Sequence, residues 1–214
     1  MTNQQKPFDE LIRRIPELTF LQTKFQLLTD LLISLYQKDG VLFLAGNGGS
    51  CCDCEHIAGE LLKGFKKKRP LSDEEISSYK ARYGEKGENI ARGLQKGLRA
   101  ISLNAHPGLV TAFNNDVDGT LSYAQQLNAL GRKGDVLLGL STSGNAANVE
   151  AAFITAKMMG VTTVLLTGNR KGACEKYADI IIDVPCGETY RIQEYHLAIY
   201  HTLCLAVEEF FFEV

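Results

Sequence analysis

The sequence predicts a three-layer α/β sandwich, in which a parallel sheet has helices on both faces. Apolar segments of four to six residues recur along the chain, and longer stretches with helical periodicity separate them. Turns rich in glycine or hydroxyl groups follow two of these segments. Strands that alternate with helices form parallel sheets, because each crossover helix returns the chain to the starting edge. The 214 residues fit one domain, 1–214, which can bury a core without disulfides.

The first part of the chain is predicted to be helical. Apolar residues recur at helical spacing through 8–37, and Pro16 marks a break between two helices. An apolar run at 41–45, bounded by glycines, predicts a buried strand. Residues 50–65 predict the helix that follows it.

The second half of the chain shows the alternation of strands and helices plainly. Strands are predicted at 100–103, 135–140, 162–166 and 180–184. Helices are predicted at 107–114, 119–130, 146–159 and 171–177, with a long closing helix at 190–212. In such sheets ligands bind beyond the carboxyl ends of the strands, so the loops there are the expected site.

Residues 66–98 interrupt this alternation. They are polar and charged and contain several glycines, which predicts a surface excursion with some helix rather than a separate domain. Ser72, followed by three acidic residues, predicts the start of a helix. The basic run 66–69 predicts a solvated segment, and the alternative is a local contact with an anion or a partner.

Composition excludes several classes of function. The net charge of −2, with 22% charged residues, gives no general attraction to nucleic acid or to an anionic membrane. No apolar run is long enough to span a bilayer, and the N-terminus lacks the pattern of a signal peptide. We therefore expect a cytoplasmic protein with reduced cysteines.

Three of the six cysteines cluster beside a histidine. Cys51, Cys52 and Cys54 precede His56, but adjacent cysteines do not fit the usual spacing of zinc ligands. We expect small buried residues on a helix. A structural zinc site and a redox-sensitive thiol are the alternatives.

Two loops at predicted strand ends are suited to phosphate binding. Residues 46–50 include Asn47, Gly48 and Ser50, and three glycines in four residues let the backbone approach a ligand closely. Residues 141–145 offer three hydroxyl groups and the start of a helix. The alternative for the second loop is ordinary helix capping, which uses the same residue types.

Two pairs of polar residues suggest acid–base or metal chemistry near these loops. His56 and Glu60 are four residues apart on a predicted helix and share one face. Gln193 and His201 are eight apart, about 12 Å along a continuous helix, so one helix does not bring both to one ion. Either Gln193 lies at or before the helix start, or a second subunit completes the site.

Four motifs in this order resemble the phosphoheptose isomerase branch of the sugar-isomerase (SIS) domain family. They are Gly-Asn-Gly-Gly-Ser at 46–50, the His56/Glu60 pair, Leu-Ser-Thr-Ser-Gly-Asn at 140–145, and Arg-Ile-Gln-Glu at 191–194 with His201. The resemblance covers nearly the whole chain apart from about 66–98. It implies a flavodoxin-like fold and a homotetramer with active sites at subunit interfaces.

The resemblance also assigns roles to individual residues. It implies a zinc-type site made by His56, Glu60, Gln193 and His201, and a phosphate site made by Ser50, Ser141, Thr142 and Ser143. Asn47 would lie near the sugar, and Gly48 and Asn145 belong to the same two loops. In such an isomerase Glu60 moves a proton between C1 and C2 through an enediol, with His201 as partner acid or base.

The chain departs from the family pattern at several positions. His106 occupies the place of a substrate-contacting aspartate, and Ala146 that of a serine in the phosphate loop. Tyr190 replaces an aspartate three residues before Gln193, and Cys51 replaces a histidine. The excursion at 66–98 is also longer than the usual connection. These changes bear on the identity of the sugar, and we include His106 among the expected substrate contacts.

The sequence therefore predicts an aldose–ketose isomerase acting on a phosphorylated sugar, with sedoheptulose 7-phosphate as the leading substrate. The alternative is a non-catalytic SIS module that senses a phosphosugar or binds a protein partner; one related branch binds a replication initiator. That branch tends to lose the acidic and histidine groups, whereas this chain keeps Glu60 and His201. A phosphosugar lyase or an aminotransferring enzyme has no supporting motif.

Overall fold

The computed structural model describes residues 6–212, which contain one five-stranded parallel sheet. Its strands are β1 (Leu42–Gly46), β2 (Ala100–Ser102), β3 (Val136–Leu140), β4 (Thr162–Thr167) and β5 (Ile180–Asp183). The spatial order is β2-β1-β3-β4-β5, and Leu42 pairs with Ala100 on one side and Val136 on the other. This order is the flavodoxin-like one, so the predicted fold class is confirmed.

Eight α-helices accompany the sheet within residues 6–212. They are α1 (Lys6–Arg14), α2 (Gln22–Gln37), α3 (Gly49–Leu62), α4 (Asp73–Gly93), α5 (Pro107–Asp116), α6 (Ser122–Leu130), α7 (Ala147–Met159) and α8 (Thr189–Phe211). The predicted break at Pro16 is confirmed as a 3-10 segment, Pro16–Leu21, between α1 and α2. The short helix predicted at 171–177 is a 3-10 turn, Ala173–Tyr177.

Alternate residues of each strand point to opposite faces of the sheet, and this alternation builds two cores. Leu42 and Leu44 of β1 pack in a cluster with α1, α2, α3 and α8. Phe43 and Ala45 pack in a second cluster with α6 and α7. The three layers predicted from the sequence are thus present, and the helices that carry the site residues lie against the sheet.

The excursion at 66–98 contains a helical arm. Ser72 caps α4 in a reciprocal arrangement, since its hydroxyl accepts from the Glu75 amide and its own amide donates to the Glu75 carboxylate. The helix breaks at Gly84, whose φ of +64° favours glycine, and Lys80 pairs with Glu88 across the break at 2.7 Å. The predicted helix start at Ser72 is confirmed.

The two ends of this arm meet where residues 64–70 lie beside residues 95–98, and we call this place its neck. Pro70 and Gln95 form an antiparallel bridge, and the Gln95 side chain accepts a hydrogen bond from the amide of Gly64. The amide of Leu98 donates to the carbonyl of Leu61, the last buried residue of α3. The arm therefore enters and leaves the domain at one point, next to the end of α3.

The prediction that residues 66–69 form a solvated segment is wrong for Arg69. Its side chain is fully buried and pairs with the equally buried Glu208 of α8 at 2.8 Å. The Glu208 carboxylate also accepts hydrogen bonds from the amides of Phe65, Lys66 and Lys67. Burial alone would raise the pKa of Glu208, but these amides and the guanidinium outweigh it and lower that pKa.

Arg69 also reaches the end of α3. Its guanidinium donates to the carbonyl of Leu61 at 2.8 Å and to the carbonyl of Glu60 at 3.3 Å. A planar cation with several donors suits this combination of carboxylate and carbonyls. The pair of Arg69 and Glu208, named here the α3–α8 clamp, therefore ties the helix of Glu60 to the helix of His201.

The cysteines near the site differ in burial. Cys54 is buried as expected, whereas Cys51 is partly buried and Cys52 is exposed. All six cysteines of the chain are free thiols. Along residues 6–212, no helix combines the length and apolar character needed to cross a bilayer.

Candidate active site

A cavity of about 360 Å³ opens where β1 and β3 end. Its walls come from the two loops that the sequence singled out, together with the start of α8. The lining residues are Asn47, Gly48, Gly49, Ser50, Leu140, Ser141, Thr142, Ser143, Ala146, Thr189 and Gln193. The structure thus brings together most of the residues predicted to contact substrate and phosphate.

The cavity offers hydroxyl groups rather than cationic side chains. Within residues 6–212, the hydroxyls of Ser50, Ser141 and Thr142 make no hydrogen bond as donor or acceptor, and the amides of Thr142 and Ser143 have no acceptor. Gly144 has a φ of +68°, which lets the loop turn tightly before α7. Hydroxyls and amides at the starts of α3 and α7 are a suitable set of donors for a phosphate.

Asn47 connects the two loops and is fixed from both sides. Its side-chain amide exchanges two hydrogen bonds of 2.8 Å with that of Asn148 at the start of α7. The hydroxyl of Tyr123 donates to the carbonyl of Gly46 at 2.7 Å and lies 3.1 Å from the side-chain oxygen of Asn47. Sequence reasoning missed Asn148 and Tyr123, since nothing in their spacing sets them apart from ordinary helix residues.

Asn145 does not line the cavity. Its side chain donates to the carbonyl of Ser143 at 3.0 Å and accepts from the amide of Ala173 at 2.9 Å. The Ser143 hydroxyl in turn accepts from the Asn145 amide. Asn145 therefore braces the loop against Ala173, and it does not cap α7, whose N-cap is Ala146 without a side-chain hydrogen bond.

Gln193 enters the cavity from α8 and lies against Gly49. A Cβ atom at Gly49 would stand 2.4 Å from Nε2 of Gln193, too close for the present arrangement. Because the obstructing atom is the end of a flexible side chain, the conflict would be relieved by moving Gln193. Gly49 is therefore the residue that admits Gln193 to the cavity.

We expect Gly49→Ala to displace Gln193 and weaken phosphate binding while the fold stays intact. Calorimetric titration with inorganic phosphate and with a sugar phosphate would measure the change in dissociation constant. Gly59→Ala on the same helix is the matched control, because a Cβ there meets nothing within 4 Å. Equal affinities for Gly49→Ala and Gly59→Ala would show that Gln193 has no part in binding.

A second group of site residues meets further along α3 and α8. Nε2 of His56 lies 3.1 Å from Oε1 of Glu60 and 3.4 Å from Nε2 of His201. Oε2 of Glu60 pairs with the ammonium group of Lys63 at 3.2 Å. Three of the four residues predicted as metal ligands are therefore in contact.

The electrostatics of this group favour an uncharged His201. Burial lowers the pKa of His201, the neighbouring His56 lowers it further, and Glu60 opposes both. A neutral imidazole can both accept a proton and donate one, whereas an imidazolium can only donate. His201 is thus poised for proton transfer beside a carboxylate.

Gln193 does not join this group within one chain. Helix α8 is continuous from Thr189 to Phe211, so Gln193 is inside it and about 12 Å along its axis from His201. The alternative that Gln193 lies at or before the helix start is therefore wrong. Among residues 6–212, no group of three or more His, Cys, Asp or Glu side chains converges on a metal position.

The hydroxyl of Tyr200 supports His56 from behind. It lies 3.0 Å from Nδ1 of His56 and donates to Oδ1 of Asp53 at 3.1 Å. Burial raises the pKa of Tyr200, and the carboxylate of Asp53 raises it further, so the hydroxyl keeps its proton. Burial raises the pKa of Asp53 as well, although Tyr200 and His56 oppose that shift.

His106 lies apart from both groups of site residues. Its Nδ1 faces the side-chain oxygen of Gln126 at 2.8 Å, and it lines a different cavity with Glu55 and Asn104. Tyr190, the other substitution close to the site, is exposed and does not line the cavity at the ends of β1 and β3. The structure of one chain therefore does not bring His106 to the other predicted site residues.

His196 is a histidine packed inside the domain. It is completely buried, and its Nε2 faces the carbonyl of Thr167 at 3.4 Å. Burial lowers the pKa of His196 to about 4, so it stays neutral in the folded protein.

Comparisons with known proteins show the family to which this chain belongs. Residues 88–168 match the SIS domain family. A phosphoheptose isomerase of Burkholderia pseudomallei (strain 1710b) is 37% identical over 187 residues, which are 87% of this chain and 82% of the relative. The one from Sulfurimonas denitrificans is 35% identical over 200 residues, which cover 94% of this chain and 89% of that one.

Solved structures show the same relationship. The phosphoheptose isomerase from Neisseria gonorrhoeae superimposes with a TM-score of 0.73 and 29% identity, covering 94% of each chain. The one from Francisella tularensis gives 0.74 and 26% identity, covering 97% of this chain and 98% of that one. On identity, coverage and fold together, this chain belongs to the phosphoheptose isomerase family of SIS-domain proteins.

Proposed function

We propose that this chain interconverts sedoheptulose 7-phosphate and D-glycero-D-manno-heptose 7-phosphate. The observation that carries the proposal is the contact of Glu60, His56 and His201 on the same two helices that line the hydroxyl-rich cavity. Membership of the family supports an aldose–ketose isomerase acting on a phosphosugar.

The spacing of the two groups suits a seven-carbon sugar phosphate. Ser50 and His56 are six residues apart on α3, about 9 Å along its axis. An extended heptose with carbon–carbon bonds of about 1.5 Å places its phosphorus about 10 Å from C1. A phosphate held at Ser50 would therefore put C1 at about the level of His56 along α3, and Nε2 of His56 is in contact with Glu60 and His201.

In this mechanism the cavity fixes one end of the substrate. The hydroxyls of Ser50, Ser141 and Thr142 and the nearby amides bind the phosphate, while Asn47 contacts the sugar. Glu60 takes a proton from one of the two reacting carbons and returns it to the other after an enediol forms. His201 moves the matching proton between the two oxygens.

We propose zinc as the metal, held by His56, Glu60 and His201. Two imidazoles and a carboxylate are donors that suit zinc, although among residues 6–212 they meet around Nε2 of His56 without converging on one ion position. When bound, zinc polarises the carbonyl and hydroxyl oxygens of the substrate. The remaining position would take a substrate oxygen or a donor from a neighbouring subunit.

We propose assembly as a homotetramer, the state that the resemblance to the family implies. Gln193 is placed away from His201 along α8, so a neighbouring copy supplying its own Gln193 would complete the donor set. A cytoplasmic location stays a prediction from the sequence. The non-catalytic alternative is not favoured, since Glu60 and His201 are both present and both contact His56, and the relatives are named as isomerases.

The test is turnover of sedoheptulose 7-phosphate followed by NMR, with metal-stripped and zinc-restored protein. A panel of ketose phosphates with five to seven carbons defines the preferred chain length. We expect zinc-dependent conversion of the heptose phosphate. Saturable binding of the panel without any conversion would instead indicate a non-catalytic phosphosugar module.

A further inference from the structure

Asp53, Tyr200 and His56 form a chain of hydrogen bonds that ends at the candidate active site. The ring of Tyr200 is buried, and its hydroxyl lies between Oδ1 of Asp53 and Nδ1 of His56. Oδ2 of Asp53 is buried without a partner among residues 6–212. Among the described residues, the Asp53 carboxylate therefore receives its side-chain hydrogen bond from Tyr200. Without Tyr200, this partly buried carboxylate would lose that bond, which would be costly.

The number of protons available determines which group donates and which accepts in this series of hydrogen bonds. A carboxylate can only accept, and a tyrosine hydroxyl has one proton to give. Because that proton goes to Asp53, the hydroxyl oxygen is left as an acceptor for the N–H at Nδ1 of His56. In a neutral imidazole with Nδ1 protonated, Nε2 carries a lone pair.

That lone pair faces a carboxylate oxygen, which can only accept, and a ring nitrogen of His201. Nε2 of His56 is 3.1 Å from a carboxylate oxygen of Glu60 and 3.4 Å from Nε2 of His201. Acceptors held this close repel each other unless a cation or a proton lies between them. The direction imposed by Asp53 therefore prepares this point for a positive charge.

We propose that Asp53 and Tyr200 are positioning residues, which hold His56 in the tautomer that is protonated at Nδ1 and presents the lone pair of Nε2 to Glu60 and His201. The inference rests on the proposed function for its purpose, because there a metal cation meets that lone pair. Hydrogen-bonded partners behind a ligating histidine fix its tautomer and raise its basicity.

The direct test measures the tautomer of His56 by ¹⁵N NMR of the neutral imidazole in metal-free protein. We expect Nδ1 to carry the proton in the unaltered chain. In Asp53→Asn, the carboxamide can turn its NH₂ group toward Tyr200, so the hydroxyl becomes free to donate to Nδ1. We therefore expect Asp53→Asn to shift the population toward the form protonated at Nε2.

A second test measures zinc affinity by competition with a chromogenic chelator. We expect Tyr200→Phe to weaken binding about 10- to 100-fold, the usual effect of removing such a supporting group. Tyr36→Phe is the matched control, since the Tyr36 hydroxyl is buried but has no hydrogen-bond partner among the described residues. Should Tyr200→Phe fail to fold, the nearly isosteric Asp53→Asn provides the same comparison.

The two proposals fail in different ways. A His56 protonated at Nε2 in the unaltered chain, or a tautomer and zinc affinity that neither variant changes, would overturn the positioning role whatever the turnover. Absence of isomerisation, with the expected tautomer and its shift in Asp53→Asn, would overturn the proposed function and leave the positioning role standing.

Discussion

Glu60→Gln is expected to lower kcat for sedoheptulose 7-phosphate about 10²- to 10⁴-fold, the range typical of losing a positioned acid or base. The carboxamide has nearly the shape of the carboxylate but cannot take up the proton released from carbon. Its oxygen can still face His56, as Oε1 of Glu60 does at 3.1 Å. We therefore expect the fold and the affinity for sugar phosphate to be kept.

The measurement combines turnover with incorporation of solvent deuterium at C1 and C2 of the substrate. Deuterium enters the substrate whenever the base removes a carbon proton, so its loss reports on the proton transfer itself. Glu55→Gln is the matched control, an exposed glutamate on the same helix. Turnover and deuterium incorporation that survive in Glu60→Gln would remove Glu60 from the mechanism; bound zinc, measured in parallel, separates proton transfer from loss of metal.

Arg69→Met is expected to lower the free energy of unfolding by about 3–5 kcal/mol, because it leaves the Glu208 carboxylate buried without its cation. Both side chains of the α3–α8 clamp are essentially inaccessible to solvent, at 0% and 1% exposure. A loss of this size is a large part of the stability of a typical domain. Urea denaturation followed by circular dichroism would measure it.

Two further variants make this prediction sharper. Arg69→Met combined with Glu208→Leu should recover only part of the loss, since no buried charge remains but the amides of residues 65–67 lose their acceptor. Arg92→Met removes a partner of Glu88 from an exposed pair and should have little effect. Equal losses for Arg69→Met and Arg92→Met would show that burial of the clamp contributes nothing.

Arg69 also shows why part of the fold could not be predicted. Local charge density at 66–69 is that of a solvated segment, and only the position of Glu208 on a distant helix makes Arg69 a core residue. The sheet, by contrast, was predictable, because apolar runs bounded by turn residues carry their own signal. Sequence position alone does not reveal partners 139 residues apart.

The candidate site likewise contains residues that could be predicted from the sequence and residues that could not. The loops at 46–50 and 141–145 were recognisable from their glycines and hydroxyls, and the structure places both beside one cavity. Tyr200 and Asn148 were not recognisable, since their roles depend on contacts made in three dimensions. His106 matched a family position in sequence, yet it turns toward Gln126 in the structure.

The closed neck of the α4 arm has a consequence for how this domain can change over evolutionary time. Because Pro70 and Gln95 are already paired, the length of chain between them does not alter the separation of the two ends that rejoin the domain. Insertions, deletions and new surface chemistry can accumulate in the arm without moving β2 or the end of α3. The arm is thus a place where this domain can acquire new properties while its chemistry is conserved.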